Sequence, residues 1–483
     1  MSLLPRCSAA SLASAPSVPT ACASRPACWM MRAVLGVALP LAVLGLSTPT
    51  ALGQVSYTWA APGGVPNIGA YEVNTNWSPN GVPGVNDTAQ TNGFPAPRET
   101  PYYITLTSNR LITTLNVNNA YSNFVHGSAS ADGSNPVNVT YTVSNALNLT
   151  AGNYHLYRGT LAGDADGASI TGGGNRLILY NNSDNRIHNM SIAAGTLDFS
   201  APGAQVAFTG STTLANTTSL TLDNNNRLGF QQTTTLSNTL TFDLSGSSIL
   251  SVEGTNTLTF GSNVTINSTA NSRLGSGLFV SGTGAMVNQG TINKSTGGTL
   301  TINPTGGFSN QGTLKIDGGN VSVGSNLTFG SSSTFNLTLN GSTIGTQADP
   351  NDSNLIVTTS SPVTITNGQL DLGNANLVVS TTFTLDSNKD YRFFIVNNQT
   401  NNSILGTFNG LPNTSSITIG GRTFYIGYFA NFATQDVIGG NDVVLSTTPV
   451  PEPLHVLGLA AVGLGTVGWL RRRKPQPANS LAV

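Results

Sequence analysis

Asp164 and Asp166, in the stretch GDADG, form the tightest carboxylate pair of the chain, followed by Asp349 and Asp352 in DPNDS. Such pairs supply oxygen ligands for Ca²⁺, but a calcium loop needs more oxygens in register, so both read as turn residues. Asp184, Arg186 and His188 in DNRIHN set a carboxylate, a cation and an imidazole side by side, the ingredients of acid–base work on a polysaccharide. No second carboxylate accompanies them, and a coil corner is the plainer reading. His126, His155 and His188 are scattered singly, unlike zinc ligands. No nucleophile elbow, phosphate-binding loop or dinucleotide fingerprint occurs. The expectation is a non-catalytic protein with no catalytic residues, no metal site and no cofactor. The alternative is a β-helix polysaccharide lyase or hydrolase, which requires two carboxylates and a cation converging in one groove.

The elements that would position these residues follow from composition. Only 8% of the 483 residues are charged, the net charge is -1, and Gly occupies 54 positions. A nucleic-acid footprint is therefore not expected. Lys, Glu and Gln are scarce, while Thr, Val, Ile, Leu and Phe recur in short alternating stretches between Gly, Asn and Ser, as half-buried strands and their turns do. The expected fold class is all-β.

Repetition sharpens this. Leu220-Thr221-Leu222, Leu240-Thr241-Phe242 and Leu258-Thr259-Phe260 place one apolar-Thr-apolar triplet at steps of 20 and 18 residues. Val264-Thr265-Ile266, Leu300-Thr301-Ile302 and Leu327-Thr328-Phe329 continue it, and VNQGTIN is echoed by SNQGTLK, with Asn288 and Asn310 22 residues apart. A period near 20 with no helix between points to a parallel β-solenoid, a β-helix in which each turn pairs with those above and below. Leu, Ile, Val and Phe then face inward, the intervening Thr is exposed, and Gly and Asn serve the corners. Residues 109-340 would make about ten turns, a rod roughly 50 Å long at ~4.8 Å per turn. A large β-sandwich or propeller with degenerate repeats is the competing architecture. A flat outward Thr array for ice or crystalline carbohydrate requires a stricter register than this.

The flanks differ from the middle. Residues 54-108 hold Trp59 and Trp77 among clustered prolines and read as a cap over the first turn's open edge. The sharper alternative is a paired-tryptophan platform for sugar rings. Residues 341-448 carry denser aromatics and longer strands, as a closing region should. Residues 1-53 form a presequence. Arg32 supplies a basic segment, Ala33 to Leu46 an apolar one, and Ala51-Leu52-Gly53 a small-residue cleavage site, which makes Gln54 the expected mature start and Met30 or Met31 a plausible initiator. Cys7, Cys22 and Cys28 all precede that site, so the mature body has neither a disulfide nor a thiolate metal site.

Residues 449-483 have three parts: Val450-Pro451-Glu452-Pro453, an apolar run from Leu454 to Leu470, and Arg471-Arg472-Arg473-Lys474. As a helix, 17 residues at ~1.5 Å each just span a bilayer core, and the four cations stay on the cytoplasmic side. This tail resembles the PEP-CTERM sorting signal of Gram-negative bacteria. The body, with its paired NQGT turns, DPNDSNLIVT at Asp349 to Thr358, and the closing TFNGLP, FYIGYFANF and NDVVLS, resembles surface proteins built from autotransporter-associated β-strand repeats, although no transporter barrel follows. The resemblance implies an exported cell-surface or extracellular-matrix structural or adhesion protein. It implies an exosortase-type processing enzyme as partner, the inner membrane as anchor before processing, and a mature location at the cell surface or outside the cell. An extracellular polysaccharide is the candidate ligand. An ordinary tail anchor would not need the Pro-Glu-Pro segment.

Overall fold

The computed structural model describes residues 53–60, 68–92, 100–341 and 343–451. Apart from one short 3-10 turn at Asn74–Asn76, their regular structure is all strand. From residue 205 onward a turn of the coil has three strands on three faces. One such turn is Arg227–Phe230, Thr234–Leu236 and Leu240–Leu244, and the next is Ser248–Val252, Thr257–Phe260 and Val264–Ser268. Each strand pairs in parallel with its counterpart one turn on, so the solenoid expectation describes the body.

The first-face ladder sets the period. Leu228 faces Leu250, a step of 22, then Leu274 (24), Ile302 (28) and Val323 (21). The next partner, Ile365, lies 42 residues on, because the hairpin Thr346–Asp349 with Asp352–Thr358 is inserted into that turn. Steps that vary this widely leave the pairing intact, since insertions fall at corners and the ladder resumes in register beyond them.

Alternation drives burial. Leu240, Phe242, Leu258, Phe260, Leu300 and Ile302 all lie in the core at 2% exposure or less. Two expectations need correction. Thr241, Thr259 and Thr301 are half-buried rather than exposed, because an outward side chain in mid-ladder is flanked by those of the turns above and below, about 4.8 Å away. The triplet steps of 20 and 18 also do not measure the coil. Leu220 faces Phe242, not Leu240, while Leu258-Thr259-Phe260 sits on a different face, where its partners are Thr234 to Leu236. Asn288 and Asn310, by contrast, are direct partners across 22 residues.

The NQGT motif is a corner. Asn288 Nδ2 donates to Asn310 Oδ1 at 2.7 Å, and each asparagine also donates to the carbonyl of the glycine two positions on, Gly290 or Gly312. Both asparagines are fully buried, so these bonds satisfy groups that water cannot reach. Glycine is required beside them by close approach: a Cβ on Gly312 would lie 2.2 Å from the Gly290 carbonyl oxygen.

Parallel pairing extends beyond 109-340 in both directions. Arg110–His126 and Val139–Leu156 are long strands that bend around the corners, and the second pairs along its length with Gly159–Ala162, Ala168–Gly172 and Leu177–Leu179. Before them, Ser56–Trp59 already pairs in parallel with Thr88–Gln90, while Trp77–Ser78 covers its other edge antiparallel. At the far end Asp390–Asn398 takes Val363–Ile365 in parallel and Asp442–Ser446 antiparallel. Arg422–Ala430 and Ser416–Ile419 complete that antiparallel close.

Candidate functional site

Each predicted site residue has a place or lies outside the described residues. Val450 is buried at 4% exposure on the closing sheet, where a Cβ added at Gly427 would stand 3.0 Å from Val450 Cγ1 and 3.1 Å from Val444 Cγ1. Just before it, the Thr447 amide donates to the Tyr391 carbonyl at 3.0 Å and the Thr447 hydroxyl accepts from the Tyr391 amide at 2.8 Å. Val450, the first residue of the Val-Pro-Glu-Pro segment, therefore packs on the folded body. Pro451 is exposed. Glu452, Pro453, Leu454 to Leu470, Arg471, Arg472, Arg473 and Lys474 lie outside the described residues, as do residues 1–52 of the presequence with its three cysteines. Among the described residues no helix is long and apolar enough to cross a membrane.

The acidic pairs are turns. Asp164 Oδ1 accepts the Asp166 amide at 3.1 Å; Asp349 and Asp352 accept the amides of Asn351 and Asn354. The DNRIHN stretch disperses its chemistry. Asp184 pairs with Arg158 at 2.7 Å, Arg186 lies over the Phe279 ring, and His188 Nδ1 meets Thr209 Oγ1 at 2.9 Å. No group of three metal-ligating side chains forms among the described residues. The paired-tryptophan platform is overturned. Trp59 and Trp77 are each 1% exposed and meet edge to face at 4.9 Å inside the first turn, where no sugar reaches them.

A different concavity gathers polar chemistry, and sequence reasoning missed it. It opens on the third face, over a volume of about 380 Å³, between Leu197–Asp198 and Thr218–Leu222. Leu197–Asp198 pairs only with the turn before it, through Leu177–Leu179, and Thr218–Leu222 only with the turn after it, through Leu240–Leu244. The ladder thus skips one step there, leaving a seam. Ser219 and Thr221 on the seam edge are exposed, unlike the half-buried threonines of mid-ladder.

Arg176 and Asp198 form an ion pair at 2.9 Å along one wall of this seam, between the two turns that do pair, with Asp198 buried and the Arg176 side chain 57% exposed. Burial opposes ionisation of Asp198, but bonds from Arg176 and Ser200 outweigh it and hold the carboxyl below its usual range. Asp223 lies on the opposite wall and accepts from Asn226 Nδ2 at 3.3 Å. The groove therefore meets the composition set for an enzyme, two carboxylates and a cation. Asp198 is held in its charged form with both oxygens engaged, which suits it to hydrogen bonding rather than to donating a proton. One signal was legible, since Arg176 and Asp198 are opposite charges 22 residues apart, one coil step. No protein-family model, curated protein or solved structure matches the chain.

Proposed function

We propose that this chain is an exported, non-catalytic structural or adhesion protein of the cell surface or extracellular matrix, held first by its C-terminal tail in the inner membrane and then sorted by an exosortase-type enzyme. The carrying observation is the tripartite tail: Val450-Pro451-Glu452-Pro453, 17 apolar residues, then four cations. A permanent anchor needs the last two parts only. Two properties of the body support the reading. Its inter-turn hydrogen bonds and inward Leu, Ile, Val and Phe stabilise a cysteine-free domain, as a protein working outside the cytoplasm requires. Val450 packs on the closing sheet and Pro451 beside it is exposed, which puts the start of the motif at the edge of the described body.

Mass spectrometry of surface-released protein tests this. The expected mature chain starts near Gln54 and ends between Pro451 and Pro453, Val450 being retained as part of the fold. Peptides running through Arg471 in released protein would defeat the sorting reading and leave a plain membrane-anchored protein.

A further inference from the structure

We propose that the seam groove is a binding site for a neutral oligosaccharide, the segment of surface polysaccharide that the body holds; this rests on the surface-protein reading above. The groove exists because two of the three ladders break at one level. On the second face Thr213–Leu214 pairs back to Met190–Ile192, while Thr234–Leu236 pairs forward to Thr257–Phe260. That break is sealed by side chains, Gln232 Nε2 donating to the Thr212 carbonyl at 2.8 Å and Asn238 Nδ2 to the Leu214 carbonyl at 2.6 Å. The first face runs through unbroken from Gln205–Thr209 to Arg227–Phe230. On the third face the seam stays open, with the 380 Å³ groove in it.

The groups in the groove match a sugar. A saccharide presents adjacent hydroxyls, each both donor and acceptor, on a ring with apolar C–H faces. Arg176 spends one Nη1–H on Asp198, which fixes the guanidinium plane and leaves its other N–H groups without a protein partner among the described residues. Across from it, Asp223 has Oδ2 free of any protein hydrogen bond among the described residues, an acceptor for the same ligand. Ser200 and Thr221 add exposed hydroxyls, and Leu197 provides a half-buried apolar surface. The volume sits at the small end of the ~300–1,000 Å³ of ligand sites, enough for a short stretch of chain. One cation against two carboxylates leaves a single net negative charge, which disfavours uronate or phosphate polymers and selects a neutral one. A peptide strand is the other occupant of an open edge; Leu197–Asp198 gives it only two residues of ladder and Thr218–Leu222 gives five, so an extended peptide is one of the outcomes tested.

The test uses the full-length chain in detergent micelles, titrated with maltohexaose, cellohexaose, chitohexaose and a hexauronate by calorimetry and saturation-transfer NMR. At least one neutral hexaose should bind with Kd below about 5 mM, as a site with a few charge-assisted hydrogen bonds does. Arg176→Gln and Asp223→Asn should each weaken it at least about fivefold, one lost charge-assisted bond, while the exposed hairpin change Asp352→Asn leaves it unchanged. Asp223→Asn should also narrow the discrimination against the hexauronate. Arg176→Gln deprives buried Asp198 of its ion-pair partner and should lower the melting temperature, so its binding is read at a temperature where circular dichroism shows it folded, while isosteric Asp223→Asn should melt like wild type and separates lost binding from lost fold. No binding of any neutral hexaose, binding insensitive to both changes, tighter binding of the hexauronate, or capture of an extended peptide instead would each overturn the assignment. None of these results bears on where the chain is processed, which mass spectrometry decides separately.

Discussion

The early turns and the later turns share one fold and fill it differently. Up to residue 156 a cluster of buried rings and polar groups is set among the Leu, Ile and Val of the interior. Tyr71 meets Trp77, Phe124 and Tyr141 edge to face at 5.0 to 5.8 Å, and His126 Nδ1 lies 2.6 Å from the Tyr154 hydroxyl while Nε2 reaches the Val139 carbonyl at 3.0 Å. From residue 205 to Leu339 the stack is mostly Leu, Ile, Val and Phe, interrupted by buried Asn288, Asn310 and Lys294. In the first region, rings fill the wide turns and must place their O–H and N–H groups, so strands bend without breaks to keep partners in reach. In the second, aliphatic side chains stack on their own kind and the backbone divides into short strands with corners between. Aliphatic stacking tolerates variable corners; the aromatic network ties each residue to particular partners.

The largest break comes from a charge in the aliphatic stack. Leu258→Asp buries a carboxylate in the core between its ladder neighbours Thr234 and Met286, a cost of about 5 kcal/mol or more. Because turns contact chiefly their neighbours, the loss should stay regional. The later turns should melt in chemical denaturation and become protease-sensitive while the emission of buried Trp59 and Trp77 stays native. Simultaneous collapse of both regions would show that the two fillings fold as one cooperative unit.

Acidity sharpens the same contrast. Burial lowers His126 to about 4 and His155 likewise to about 4. Unfolded histidine binds its proton near 6.5, so between that value and about 4 the unfolded state holds more protons, and stability falls as pH falls. For fully buried His126 the loss totals about 3 kcal/mol, at about 1.4 kcal/mol per pH unit. The early turns should therefore loosen first on acidification, seen as lower amide protection factors there at pH 4.5 than at pH 7 after correction for intrinsic exchange, and His126→Gln should flatten the dependence.

How far these regions were legible follows from their fillings. Alternating Leu, Phe and Ile with Thr announced the later turns, and the Asn288 to Asn310 step measured one turn correctly because both residues hold the same corner. The triplets misled because a three-residue pattern carries no mark of its face: Leu258 to Phe260 looks like Leu240 to Phe242 but stacks elsewhere. Residues 54-108 read as a cap because Trp59 and Trp77 among clustered prolines break the aliphatic rhythm, although both side chains are core. The seam was hidden for a different reason. Whether two strands pair one turn apart depends on corner lengths on both sides, and no local pattern encodes a skipped pairing.

Lys294 gives the later turns their own signature. It is fully buried, its ammonium held by carbonyls of Thr296 at 2.7 Å and Gly297 at 2.8 Å, with those of Ser268 and Ala270 at 3.4 and 3.3 Å. Burial lowers it to about 8. Between about 8 and its unfolded value near 10.5 the unfolded state holds the extra proton, so stability should rise with pH across that window, where the buried histidines contribute no change. Lys294→Met should remove that rise and, by leaving the carbonyls without a donor, cost about 2 kcal/mol at neutral pH in urea unfolding.

The smallest effect isolates the ladder itself. Thr259 and Thr221 are the same residue in the same apolar-Thr-apolar pattern, both pointing outward, yet Thr259 is half-buried between Thr235 and Val287 and Thr221 is exposed at the seam with a partner on one side only. A carboxylate at 259 must give up part of its hydration to neighbours on both sides, and in a strand its β-propensity is poor as well. At 221 it keeps one open side but stands directly opposite Asp243 and in the groove with Asp198 and Asp223, whose negative charges add a screened repulsion. Thr259→Asp should cost about 1 kcal/mol and Thr221→Asp about 0.5 kcal/mol at moderate salt. In 1 M salt the second cost should shrink toward the propensity difference alone, while the first, set by desolvation, should persist. Equal costs with equal salt dependence would mean that the seam closes in solution, and the distinction between an open edge and mid-ladder would fall with it.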